Sequence, residues 1–111
     1  MTRRRPPEGF ERELHYRLVV RPATGGKRVV PLESQPVKVG RGRDCEIQPD
    51  EAPISSLHCV VSLVGGRPSV IDQGSTNGTF LNGSRIHHAW LERDDTIVVG
   101  KTAIRLGAVE L

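Results

Sequence analysis

Alternation of apolar and polar positions begins at HYRLVV (residues 15–20) and returns in short runs to the end of the chain. The runs are RVVPL at 28–32, VKV at 37–39, EIQ at 46–48, LHCVVSLV at 57–64 and PSVID at 68–72, followed by TFLN at 79–82, HHAWLE at 87–92, TIVVG at 96–100 and AIRLGAVEL at 103–111. Gly, Asn, Asp or Pro separates them, and they recur about every eight to twelve residues, the spacing of a β-sandwich or barrel. No segment sustains a helical period. The pattern predicts an all-β chain of short strands, with sandwich and barrel both open. Residues 1–13, MTRRRPPEGFERE, are charged and carry prolines, which predicts a disordered basic lead-in. Residues 14–111 are then one domain, with no repeat and no second unit.

The stretch DQGSTNGTFLNG (72–83) holds two Asn-Gly dipeptides, Asn77-Gly78 and Asn82-Gly83. Both residue types tolerate positive φ, so Asn-Gly is a strong hairpin signal. Taken by itself the stretch predicts turns.

Composition sharpens the class. Aromatic residues make up 4% of the 111, so the core must rest on Val, Leu and Ile, and β-branched residues favour strands. The formal charge of +3 suits an anionic partner without choosing one. The triplet Arg3, Arg4 and Arg5 reads as a solubilising tail or a nucleic-acid arm. The remaining basic residues are scattered, without the aromatic interleaving of a stacking platform, which disfavours nucleic acid. Cys45 and Cys59 make no disulfide framework, and Cys59, inside an apolar run, reads as a buried thiol. No run reaches the ~20 apolar residues that span a bilayer, and the N-terminus lacks a signal-peptide core. A reducing cytoplasm is the compartment expected, with no membrane partner.

Three loops concentrate polar chemistry. Gly40-Arg41-Gly42-Arg43-Asp44 follows one strand; Ser55, Ser56 and His58 precede another; the third is the double Asn-Gly stretch. An Arg fork suits phosphate oxygens, Ser and Thr hydroxyls donate to the same acceptors, and an Asn amide donates and accepts. Loops meeting at one end of a sandwich would make a phosphate pocket with an amide beside it. Each residue also has a plainer reading: Arg41 as a salt-bridge partner of Asp44, Ser55 and Ser56 as a turn, Thr76 and Asn77 as a turn needing no ligand.

The ordered set Gly40-Arg41, Ser55 to His58 (SxxH), Ser75 to Thr79 (STNGT) and Leu81 to Gly83 (LNG), closing on DTIVVG, resembles the forkhead-associated (FHA) domain over about residues 16–107. The resemblance implies a β-sandwich of short, mostly antiparallel strands with a loop-built site at one end. It implies a non-catalytic module that binds phosphothreonine in a partner protein modified by a serine/threonine kinase. A phosphorylation-independent assembly scaffold of the same fold is the alternative. By the same resemblance Arg41, Ser55, Ser56 and Thr76 bind the phosphate and Asn77 holds the peptide backbone beside it. Gly40, His58, Gly78 and Asn82 support the site, and no cofactor or metal is needed. Ser56 is shorter than the Arg or Asn often found at its position. Pro53, two before the motif serine, offers no donor for an acidic peptide residue.

Other features argue against catalysis and metal binding. Ser55 and His58 lack an acidic orienter, and SSLH is not a nucleophile elbow. GRGRD is no phosphate loop, lacking the Lys-Ser/Thr ending. His87 and His88 are adjacent, so in a strand they face opposite sides. Trp90 reads as a core or edge anchor, and LERDD (91–95) as a solvated turn.

Overall fold

The computed structural model describes residues 14–110, so the expected lead-in at 1–13 lies outside the described residues. Ten strands occur in chain order: β1 (Leu14–Arg21), β2 (Arg28–Leu32), β3 (Val37–Val39), β4 (Cys59–Val64), β5 (Arg67–Asp72), β6 (Thr79–Leu81), β7 (Ser84–Ile86), β8 (His88–Trp90), β9 (Thr96–Val99) and β10 (Thr102–Glu110). They form a six-stranded sheet, β2-β1-β10-β9-β6-β7, and a four-stranded sheet, β3-β4-β5-β8. All strand pairs are antiparallel. The fold is a sandwich, and the barrel alternative falls away.

Period-two patterning sets the faces. Leu18 and Val20 of β1, Ile104 and Leu106 of β10, and Ile97 and Val99 of β9 point inward from the large sheet. Val37, Val39, Cys59, Val61 and Val70 meet them from the small one. Aliphatic residues therefore build this core, with Ile47, Ile54 and Leu91 plugging it from loops. Burial pushes the Cys59 thiol up to about 12, so the group stays an inert packing element.

Three expectations are corrected. EIQ makes no strand: Ile47 forms only an isolated parallel bridge to Val39, because the chain turns away on either side to bring up the next loop. His87 lies at a bend between β7 and β8, not inside a strand. Trp90 takes the edge place of the two expected for it, on strand β8, 40% exposed, with the Arg67 guanidinium 4.4 Å from its ring centre. In LERDD only Glu92 to Asp95 is turn, since Leu91 is 4% exposed and belongs to the core. The short β7 was hidden in sequence, because SRI has too few apolar positions to signal a strand.

Candidate functional site

The loop after β3 is zipped to the segment before β4. His58 N–H donates to the Val39 carbonyl (2.8 Å), Arg41 N–H to that of Ser55 (3.1 Å) and Gly42 N–H to that of Ser56 (2.9 Å). Gly40 is required there, because a Cβ would collide with the Ser56 carbonyl, which is backbone and cannot swing away. The Arg41 side chain emerges exposed, with Nη1 3.4 Å from the Ala52 carbonyl. Asp44 does not neutralise it. That carboxylate pairs with Lys38 at 3.1 Å, whose hydrogen bond holds it below the usual range.

His58 is fully buried and ties two loops together. The Ser55 amide donates to Nδ1 (3.3 Å), and the other ring nitrogen lies 2.8 Å from the Gly78 carbonyl. An amide can only donate and a carbonyl can only accept, so the proton sits on Nε2 and Nε2–H donates to Gly78. With its second nitrogen committed as an acceptor, the ring is a fastener.

The loop after β5 turns around Asp72. Its Oδ2 accepts the amides of Gly74 (3.0 Å) and Ser75 (3.1 Å), while Oδ1 accepts the hydroxyls of Ser75 (2.5 Å) and Thr79 (2.7 Å). Burial pushes this carboxyl up, but the bonds from Ser75, Thr79 and Gly74 outweigh it and leave it below the ordinary range. Ser75 is thus turned inward, 7% exposed, and its hydroxyl also accepts the Gly78 amide at 3.1 Å. With Ser75 and Gly78 tied down, Thr76 and Asn77 stand exposed at the crest. The Thr76 amide donates to Ser55 Oγ (3.4 Å) and Asn77 Nδ2 to the Pro53 carbonyl (2.7 Å), closing this loop onto the serine segment.

Between these loops lies an open cleft of about 310 Å³, lined by Arg41, Ala52, Pro53, Ile54, Ser55, Ser56, Thr76 and Asn77. Five of the residues expected to contact ligand, drawn from three separate loops, therefore share one surface. Gly40, His58 and Gly78 support it from behind: Gly40 packs against the Ser56 carbonyl, and the His58 ring links the Ser55 amide to the Gly78 carbonyl. Asn82 does not reach it. Its side chain bonds Asp95 (3.0 Å) and the Thr96 amide (2.9 Å), bracing the turn before β9 instead. Chemically the cleft offers one guanidinium, three hydroxyls and an amide, a donor set for a tetrahedral oxyanion. Among the described residues no cluster of His, Cys, Asp or Glu could hold a metal ion.

Two supporting acids escaped the sequence reading. Asp72 had a legible signal: an Asp two residues before Gly74 makes an Asx-type turn. Glu51 had none. It accepts the Lys101 amide (2.8 Å) and the Thr102 hydroxyl (2.5 Å), partners some fifty positions away, and so anchors the segment leading to Ala52.

Fold and site together define a two-sheet sandwich module with a loop-built, singly cationic cleft. A family model for the FHA domain matches residues 37–100, and the chain belongs to the FHA domain family. Over 84 residues it is 33% identical to the glycogen accumulation regulator GarA of Mycolicibacterium smegmatis, covering 76% of this chain and 52% of that protein. Over 92 residues it is 37% identical to the FHA domain-containing protein FhaB of Mycobacterium tuberculosis, covering 82% of this chain and 59% of the relative. The chain thus spans little more than half the length of these relatives. It also superposes on the crystal structure of the MEK1 FHA domain in complex with a phosphothreonine peptide of HOP1. The TM-score is 0.68 and the identity 28%, with 81% of this chain and 94% of that one covered. No helix among the described residues is long and apolar enough to cross a membrane.

Proposed function

We propose that this protein is a non-catalytic module that binds a phosphothreonine segment of a partner protein, in the cytoplasm and downstream of a serine/threonine kinase. One observation carries the reading: Arg41, Ser55, Ser56, Thr76 and Asn77, from three loops distant in sequence, line one open cleft. A phosphate at neutral pH carries about −1.5 to −2 charges and three strong acceptors. Arg41 takes two of these in a fork, and the Ser55 and Thr76 hydroxyls meet the third without a metal. Ser56, also in the lining, adds a weaker donor. Asn77 keeps one amide hydrogen on Pro53, which orients the group; its second hydrogen and its oxygen remain for the peptide backbone. Membership of the FHA family and the phosphothreonine complex of the MEK1 domain support this assignment.

A second reading, phosphorylation-independent scaffolding, draws on the single cation among the lining residues, which leaves a dianion partly uncompensated. Titration with paired phosphorylated and unphosphorylated threonine peptides separates the two. Phosphate-dependent binding that Arg41→Ala abolishes is expected. Equal affinity for both peptides, or partner capture that survives phosphatase treatment, would replace the first reading with the second.

A further inference from the structure

Gly78 is buried although it follows the exposed Asn77, and the reason is Arg85. Arg85 stands on β7 directly across from Phe80 on β6. Its side chain runs back along the hairpin, so that a Cβ on Gly78 would sit 2.8 Å from Arg85 Nε and 3.1 Å from Cζ, with Phe80 Cε1 at 3.2 Å. The guanidinium therefore lies against the backbone one residue past Asn77. Long basic side chains lay their stems on apolar surface and keep the charged head in water. Among the described residues the head has no hydrogen-bond or ion-pair partner. Lys38, by comparison, is paired with Asp44, Arg105 with Asp94, and Arg93 holds the Ala108 carbonyl.

We propose that Arg85 is a second anion subsite that reads an acidic side chain flanking the phosphothreonine, on the side of the peptide held by Asn77. The inference rests on the phosphopeptide reading above. A peptide whose backbone engages the Asn77 amide must pass beside Gly78, and a neighbouring Cα is only about 3.8 Å away along the chain. A Glu or Asp one to three positions from the phosphothreonine can reach the free guanidinium and pair with it in a fork. Arg41 supplies the phosphate charge and Arg85 the sequence preference. Pro53, with no donor, leaves that preference to the opposite wall.

The test is a scan of phosphothreonine peptides with Glu or Gln at each of three positions on either side, titrated against the full chain. The wild-type protein is expected to favour Glu over Gln at one or two adjacent positions by about two- to fivefold, the worth of an exposed ion pair. The preference should shrink when salt is raised from about 0.05 to 0.5 M. Arg85→Met keeps an unbranched stem over Gly78 and Phe80 and is expected to bring the Glu/Gln ratio to about one, while Arg85→Lys keeps most of it. A wild-type protein with no Glu preference at any position overturns the proposal, as does an unchanged ratio in Arg85→Met. The Gln peptides are titrated in unphosphorylated form as well: equal binding with and without phosphate would sink the phosphopeptide reading itself, an outcome distinct from the Glu/Gln ratio.

Discussion

Asn77-Gly78 and Asn82-Gly83 are the same dipeptide in the same chain, and the structure uses them in opposite ways. At the second, both residues take positive φ (48° and 89°), the requirement of a tight type I′ turn, and Leu81 pairs with Ser84 across it. The Asn82 side chain folds back onto Asp95 and Thr96. At the first, only Gly78 is in the left-handed region (φ 92°), its amide and carbonyl are taken by Ser75 and His58, and the Asn77 side chain is left outside. A hairpin turn spends its asparagine on its own backbone geometry. A loop whose polar backbone is satisfied from beneath can offer its asparagine to something else.

Substitutions sharpen this contrast, beginning with the largest effect. Arg41→Ala should remove phosphate-dependent binding by at least about 30-fold, since charge-assisted hydrogen bonds are worth about 1.5–3 kcal/mol each. Isothermal titration with the phosphopeptide pair measures it, and a surviving phosphate preference would return Asn77-Gly78 to the status of a plain turn. Asp72→Asn attacks what lies beneath the first loop. It should cost about 2 kcal/mol in chemical denaturation at neutral pH, because an amide places donors against the Gly74 and Ser75 amides. A carboxyl held below its ordinary value contributes stability that is complete above the carboxylate range and fades as pH falls through its lowered value. The gap between wild type and Asp72→Asn should therefore close below about pH 4. A gap that widens on acidification would contradict that role.

The asparagines should then part company. Asn77→Ala is expected to weaken phosphopeptide binding about tenfold, the worth of one good hydrogen bond to ligand, with its unfolding midpoint little changed. Asn82→Ala should instead lose about 1–2 kcal/mol of stability, through two hydrogen bonds and a left-handed backbone that alanine resists. Similar stability losses for the two variants would erase the distinction. The smallest effect is expected at Gly83. Gly83→Ala meets open space and should cost about 1 kcal/mol of conformational strain, whereas Gly78→Ala adds contact with Arg85 and Phe80 and should cost visibly more in thermal unfolding.

Much of this molecule was legible residue by residue. Apolar alternation located nine of the ten strands, and the polar types at Arg41, Ser55, Thr76 and Asn77 marked the loops worth watching. Ile47 misled because a single buried aliphatic beside polar neighbours has the same pattern whether it sits in a strand or plugs the core from a loop. Leu91 was missed for the same reason within its charged run. Asn82 drew a supporting role from its place in the LNG motif, yet its partners Asp95 and Thr96 come from a different turn.

What the sequence by itself determined is local: the strand period, the β-branched core, and Gly at positions whose backbone turns left-handed. These follow from interactions between residues near each other in the chain. Only the tertiary structure decided which polar groups face one another. Asp44 went to Lys38 and not to Arg41; Ser75 turned in to Asp72 while its neighbour Thr76 turned out; Arg85 came to rest on Gly78. Such pairings depend on strand register and on loops closing across the sandwich end, where side chains many positions apart compete for the same few partners.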